Sequence, residues 1–337
     1  MTRLVGSLRA TVRIVSVPVT VFLIATFGTY ALGAIGGANP AATVLGQDAT
    51  PTAIAQLNHQ YGLDKPFLVQ YFDWLGHALT GNFGTSYFTS IPVATSLGQA
   101  LPVDLSLALL ALVFAVLLGG GAGLLAALRQ GGLIDRGISA ACSALATVPP
   151  FLVGITLIVL FAVVFRLLPS GGYVPFTQNP GQWLRFAFLP ALALSAEGAA
   201  AIARQLRTSL VGALRENYVL GAAARGLSSR RVLLRHALRN AAGPALTVLG
   251  VQVPMIIGGA VVAEKMFALP GVAQLALTAG SERDVPVIQG ALLVTVGVVL
   301  VSNIVVNAVL LRLTPQGRRG SRTVRRRPVL QAAGGAA

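Results

Sequence analysis

Charge is scarce in this chain. Asp, Glu, Lys and Arg make up 10% of its 337 residues, where a soluble domain carries about one quarter. Hydrophobic residues make up 55%, and mean hydropathy is +0.76. So little polar material cannot cover a soluble fold, so the chain belongs in a bilayer. Lysine occurs only at Lys65 and Lys265, each preceded by an acid. Neither stands in a Gly-x-x-x-x-Gly-Lys-Ser/Thr phosphate loop, so no ATP hydrolysis by this chain is expected. The single cysteine, Cys142, excludes an intramolecular disulfide and a thiolate metal centre. It reads as a small buried apolar residue. His59, His77 and His236 are scattered, with no His-Glu-x-x-His spacing and no Gly-x-Ser-x-Gly elbow. No catalytic residue and no metal site is expected.

What the chain does have is long uncharged runs. A spanning helix needs about 20 mostly apolar residues. Residues 14–36, 105–128, 137–165, 240–263 and 285–311 each qualify, and 186–203 is interrupted only by Glu197. Backbone polar groups in hydrocarbon must bond within their own segment, so these runs predict helices. A membrane barrel would instead show alternating segments of about ten residues. The expected fold is an all-α integral membrane protein with six transmembrane helices. The first run exceeds the length of a signal-peptide core and reads as a retained span.

Six spans put both ends on one side. With that topology, 20 of the 25 basic residues and only Asp135 and Glu216 among the acids share the side of the termini. The positive-inside rule makes that side cytoplasmic. The same asymmetry accounts for the net charge of +15 without nucleic acid as a partner. The expected organisation is a cytoplasmic tail (residues 1–13), a first span (14–36) and an extracytoplasmic subdomain (37–103). A transmembrane unit (104–317) follows, with a cytoplasmic loop at 205–242, and then a basic tail (318–337) expected to be disordered. Within the subdomain, periodicity predicts short helices over 52–61, with Pro51 in the first turn, and over 66–79.

One stretch stands apart. NYVLGAAARGLSSRRVLLRHALRN, residues 217–240, carries five arginines, one histidine and no acid. Its small residues leave room for another surface to approach the backbone. Gly226 reads as a helix cap, and Ser228 and Ser229 as candidate N-caps for a second helix over 230–239. A short helix with a small tip suits docking into a partner's groove.

These residues resemble the cytoplasmic "EAA" loop of permease subunits of binding-protein-dependent ABC importers, in the branch that moves peptides, nickel and related solutes. Gly226 takes the loop's glycine place, and His236, Ala237 and Leu238 its later motif. Leu220 stands where the naming glutamate would be, with Gly221 after it, so an acidic contact there is not expected. GLDKPFLVQYFDWL, GNFGTSY, LPVDLSLAL, VPPF and VVAEKMFALPGVAQL resemble the same family in the same order, which carries the likeness over nearly the whole chain up to about residue 317.

The resemblance implies a type I importer subunit without its own engine. Its expected partners are a second, related permease, two ATPase subunits (or one fused ATPase), an extracytoplasmic solute-binding protein and the lipid bilayer. ATP and Mg²⁺ would be bound by the ATPases and no cofactor by this chain. Tyr218, Ala222, Ala223, Arg225, Gly226, Leu227 and His236 are the expected coupling residues, while Arg207 and Arg239 read as topology residues. The segment from Glu264 to Asp284 resembles the family's periplasmic re-entrant loop.

Ionisable and polar groups inside spans point to function by default. Glu197, read as the one buried acid, is the expected pathway residue, meeting a cationic group such as a peptide amino terminus. Pro149 and Pro150 should break the third span near its middle and expose carbonyls to the path. Gln252 and Asn303 complete the candidate pathway set, although both also suit helix–helix contacts. Peptides are the expected cargo. Nickel, a chelated metal, an opine or glutathione are alternatives on the same architecture, and an ion-coupled secondary carrier is the alternative of another class.

Overall fold

The computed structural model describes residues 19–31, 39–46 and 49–313. The two tails fall outside these residues. The chain is helical in this order: α1 (Val19–Ala31), α2 (Pro40–Leu45), α3 (Pro51–Tyr61), α4 (Phe67–Leu79), α5 (Val93–Leu128), α6 (Leu133–Thr147) and α7 (Pro150–Leu157). Then come α8 (Pro180–Leu214), α9 (Asn217–Ala224), α10 (Ser229–Val232), α11 (Leu238–Met266), α12 (Val272–Glu282) and α13 (Val285–Leu313). A wide π-helical turn, Ile158–Val164, continues α7, and another, Leu233–Ala237, fuses α10 to α11. The two short helices foreseen before the second span are α3 and α4. Pro51 opens α3, and Thr50 caps it by accepting from the Ala53 amide at 3.3 Å.

Among the described residues, four helices are long and apolar enough to cross a membrane: α5, α8, the fused α10–α11 and α13. The pair α6–α7 makes a fifth if it counts as one bent span. The described part of the first predicted span is the 13-residue α1, shorter than a membrane is thick. Two boundaries move. Residues 93–103, expected in the subdomain, are the first turns of α5. The basic helix foreseen over 230–239 is no separate element, because the helix runs unbroken from Ser229 to Met266.

The helix α8 is the centre of the bundle. Small residues along it, among them Ala191, Ser195, Gly198, Ala199 and Ala203, are buried and let its neighbours approach closely. Gly119 and Gly123 on α5 meet it one turn apart. A Cβ on Gly123 would lie 2.7 Å from the Ala203 carbonyl oxygen, so only glycine allows this contact.

The α6–α7 pair turns by 111° for a local reason. A residue before proline is driven out of the helical region. Pro149 holds Val148 extended (ψ 125°), and Pro150 holds Pro149 extended (ψ 139°). Two successive non-helical residues make a corner. The pair still climbs along α8. Asp135 meets Arg207, the Cys142 carbonyl meets Arg204, Pro150 and Glu197 line one cleft, and Phe161 packs on the cluster of Ala187 and Leu189.

Candidate functional site

At the basic end, α9 is an anchored corner. Gly226 adopts φ +76°, and the Leu227 amide donates back to the Ala222 carbonyl at 3.4 Å. That is the Schellman arrangement, with glycine in the left-handed position and an apolar residue after it. Leu227 then packs against a cluster built from Leu206 and Leu210 of α8, Val219 and Ala222 of α9, and Val232 and Ala237. The corner is thereby tied to α8 and to the start of the long α10–α11 helix. Ser228 holds the N-cap position through its backbone, its carbonyl accepting from the Val232 amide at 3.0 Å, but its side chain makes no cap bond.

The expected coupling residues divide. Tyr218, Arg225 and Gly226 are exposed, and Leu227 and His236 are half-buried. Ala222 was expected on a small open face, but it is completely buried in the chain's own cluster. It holds the corner rather than presenting it. Ala223 lies in α9, and its side chain falls outside the described residues.

Arg207 also departs from expectation. It is no mere topology residue, because its guanidinium grips Asp135 through two nitrogens, Nε on one oxygen and Nη2 on the other at 2.6 Å. The buried Asp135 carboxylate also accepts from the Gly131 amide at 2.9 Å. Beside it, Arg204 donates to the Cys142 carbonyl at 2.7 Å. Together they fasten α6 to α8. The available signal was a lone acid in a basic connection.

Midway along the bundle, the corner of α6–α7 borders a narrow cleft of about 40 Å³. Pro150, Glu197 and Gln252 line it together, so three of the five pathway candidates converge. Pro149 forms the bend itself. Asn303 sits half-buried on α13 and does not line this cleft. Glu197 is only half-buried, and it is not the one buried acid. Glu264, Asp135 and Asp284 are all more enclosed.

Glu264 and Asp284, together with Asp104, clamp α12 at the end of the bundle opposite the basic corner. Glu264 accepts from the Gln274 amide at 2.7 Å, and Asp104 accepts from the Val272 amide at 3.0 Å. Gly271, at the N-cap, has no side chain to do this, so carboxylates from α11 and α5 satisfy the first amides of the helix. At the far end, Asp284 accepts from the Ser86 hydroxyl and the Tyr87 amide. The folded-back segment is pinned at both ends. A run of acids flanking Leu-Pro-Gly carried a signal for this, but the partners lie up to 198 positions away in sequence.

The helices α3 and α4 and the loop after them enclose a second, open cleft of about 390 Å³. Lys65 pairs with Asp73 there at 2.8 Å, and this bond holds the Asp73 carboxyl below its ordinary range. Burial pushes the Tyr87 phenol well above its usual range, and nearby Tyr30 and Asp284 add to the effect.

Long helices around a small-residue centre, a basic corner at one end and a pinned folded-back helix at the other define a multi-pass membrane protein. Its fold is shared with a chain from "Inward facing conformations of the MetNI methionine ABC transporter" (TM-score 0.53, 16% identity, 65% of this chain and 96% of that one). Residues 119–319 match the family described as "Binding-protein-dependent transport system inner membrane component", and residues 7–108 match its N-terminal companion. The chain belongs to this family. It is similar to the "Probable peptide ABC transporter permease protein y4tP" of Sinorhizobium fredii, at 38% identity over 83% of this chain and 90% of that protein. It is also similar to the "Dipeptide transport system permease protein DppB" of Lactococcus lactis, at 34% over 89% and 95%. The "Metal-staphylopine import system permease protein CntB" of Staphylococcus aureus is 35% identical over the same shares. The chain is therefore the non-catalytic membrane component of an ABC transport system.

Proposed function

We propose that this chain forms half of the translocation pathway of an ATP-driven importer for di- or oligopeptides. The names of several relatives carry the cargo: y4tP and DppB are called peptide or dipeptide permeases. A second reading, import of a chelated metal, rests on the name of CntB. In the proposed assembly an extracytoplasmic binding protein delivers the peptide. A second permease supplies the other half of the path, and two ATPase subunits, or one fused ATPase, bind ATP and Mg²⁺.

The observation that supports the coupling role is the anchored corner. Tyr218, Arg225 and Gly226 stand exposed on a turn whose inner side is locked to α8 and α10–α11. A push on that turn therefore moves two long helices together. Leu227 and His236 join the exposed three at the edge, while Ala222 serves from within. In this reading Arg225 meets acids of the ATPase. The cleft of Pro150, Glu197 and Gln252 is the inner stretch of the path, with Glu197 facing a cationic group of the cargo.

Six spans follow if α1 is the described part of the first and α6–α7 is one broken span. Its partners run along α8 from Arg207 to Ala187, about 20 residues or roughly 30 Å, the thickness of the hydrocarbon core. Both termini and the basic corner are then cytoplasmic, and α2–α4 and α12 are extracytoplasmic.

Tagged chain purified from its native membrane should bring down a second permease, ATPase subunits and a binding protein. The ATPases should be lost when Arg225 and Gly226 are replaced by bulky acids. Transport of peptides by the chain alone in liposomes without ATP would overturn the importer reading.

A further inference from the structure

The extracytoplasmic cleft has a chemistry of its own. Its rings come from four places in the chain: Tyr30 of α1, Tyr61 of α3, Trp74 of α4 and Tyr87 of the following loop. Tyr61 and Tyr87 stack at 4.4 Å between centroids, and Tyr30 and Trp74 lie 6.4 Å apart. The Lys65–Asp73 pair places one charge of each sign on the cleft wall, and both side chains are half exposed. This wall is polar and apolar by turns, and the cleft's volume of about 390 Å³ lies within the range of small-ligand sites.

We propose that this cleft binds short peptides on the permease itself, taking the free amino terminus at Asp73, the free carboxylate at Lys65 and the side chains against the aromatic rings. The inference rests on the peptide reading above and adds a second recognition site to it. An exposed ion pair contributes little to folding, so exchanging it for two pairs with a zwitterion costs the protein little. Aromatic faces attract an ammonium group and bury apolar side chains. A ligand lacking either terminus would leave one charge of the opened pair without its new partner.

The chain contains two tryptophans, Trp74 and Trp183. Trp183 lies away from the cleft and donates to the Ser106 hydroxyl. Full-length Trp183→Phe protein in nanodiscs therefore reports on the cleft through Trp74 alone. Titration with dialanine should give a saturable change in its emission. N-acetyl-dialanine and dialanine amide should each bind about tenfold more weakly, the scale of one lost charge-assisted contact. Asp73→Asn should erase the preference for the free amine, and Lys65→Gln the preference for the free carboxylate. Equal binding of blocked and free peptides, or no saturable response, would overturn the proposal.

Uptake by the complete transporter with its binding protein separates the two ideas. Peptide uptake without a Trp74 response sinks the cleft and leaves the peptide reading standing. A Trp74 response with the stated preferences, but no peptide uptake, keeps the cleft and sinks the cargo.

Discussion

Gly226 shows how much one residue can decide. Its φ of +76° lies in the left-handed region, which costs other residues about 1–2 kcal/mol. A Cβ there would meet nothing within 4 Å, so the cost is conformational and not steric. Asparagine tolerates that region better than alanine. ATPase activity stimulated by loaded binding protein in the reconstituted transporter should therefore fall with Gly226→Ala and fall less with Gly226→Asn. Equal retention of activity would mean the turn is not needed for coupling. Asp135 makes a different point. Its carboxylate is buried, while the Lys65–Asp73 pair is half exposed. Removing one partner of a buried pair strands the other, whereas an exposed pair is screened by water. Asp135→Asn should lower the apparent Tm by several degrees in a thermal melt, and Lys65→Gln should leave it nearly unchanged. Comparable shifts in the two variants would show that the bidentate grip of Arg207 does not hold α6.

At the scale of elements, close packing of α5 on α8 is specified by spacing. Gly119 and Gly123 sit one turn apart on the buried side of α5, while Gly121 faces open space. Gly123→Val must push α8 away, and overpacking of this kind costs about 1–3 kcal/mol. Gly121→Val should be tolerated. Size-exclusion profiles and melting curves of the two variants test the contrast, and equal behaviour would deny the contact. The folded-back α12 depends on long-range partners instead. Losing the acceptors in Asp104→Ala and Glu264→Ala frees the amides of Val272 and Gln274. Hydrogen exchange at those positions should quicken by about tenfold or more, with α13 unaffected.

The same contrast explains what the sequence made legible. The Pro149–Pro150 break and the glycine cap at Gly226 were legible because both act through the backbone of their immediate neighbours. The Asp135–Arg207 grip and the Asp284–Ser86 bond were not, because they join residues 72 and 198 positions apart. Ser228 and Ser229 do begin a helix. Its fusion to the next span was hidden because four arginines, which mark a water-exposed stretch, say nothing about where a helix ends. Ala222 misled for a related reason: a small side chain suits an open docking face and a tight internal contact equally.

At the scale of the whole molecule, everything about sidedness turns on α6–α7. A 111° corner suits either a broken span or a loop that dips in and returns. Contacts that advance from Arg207 to the neighbourhood of Leu189 cover nearly a full membrane thickness along α8, which supports the broken span proposed above. A returning loop would double back toward Arg207, and Phe161 would not reach the cluster of Ala187 and Leu189. Leu133 before the corner and Phe176 after it are both exposed, so each can carry a reporter. In a Cys142→Ala background, Leu133→Cys should react with a membrane-impermeant maleimide only in inside-out vesicles, and Phe176→Cys only in intact cells. Labelling of both from one side would reduce the spans to five and place the termini on opposite faces. The basic corner could then share a compartment with only one of the two basic tails. The observed concentration of arginine in both tails, the corner and the α5–α6 connection is simple to explain only if the membrane is crossed once between residues 133 and 176, which makes this pair of labels the sharpest test of the topology.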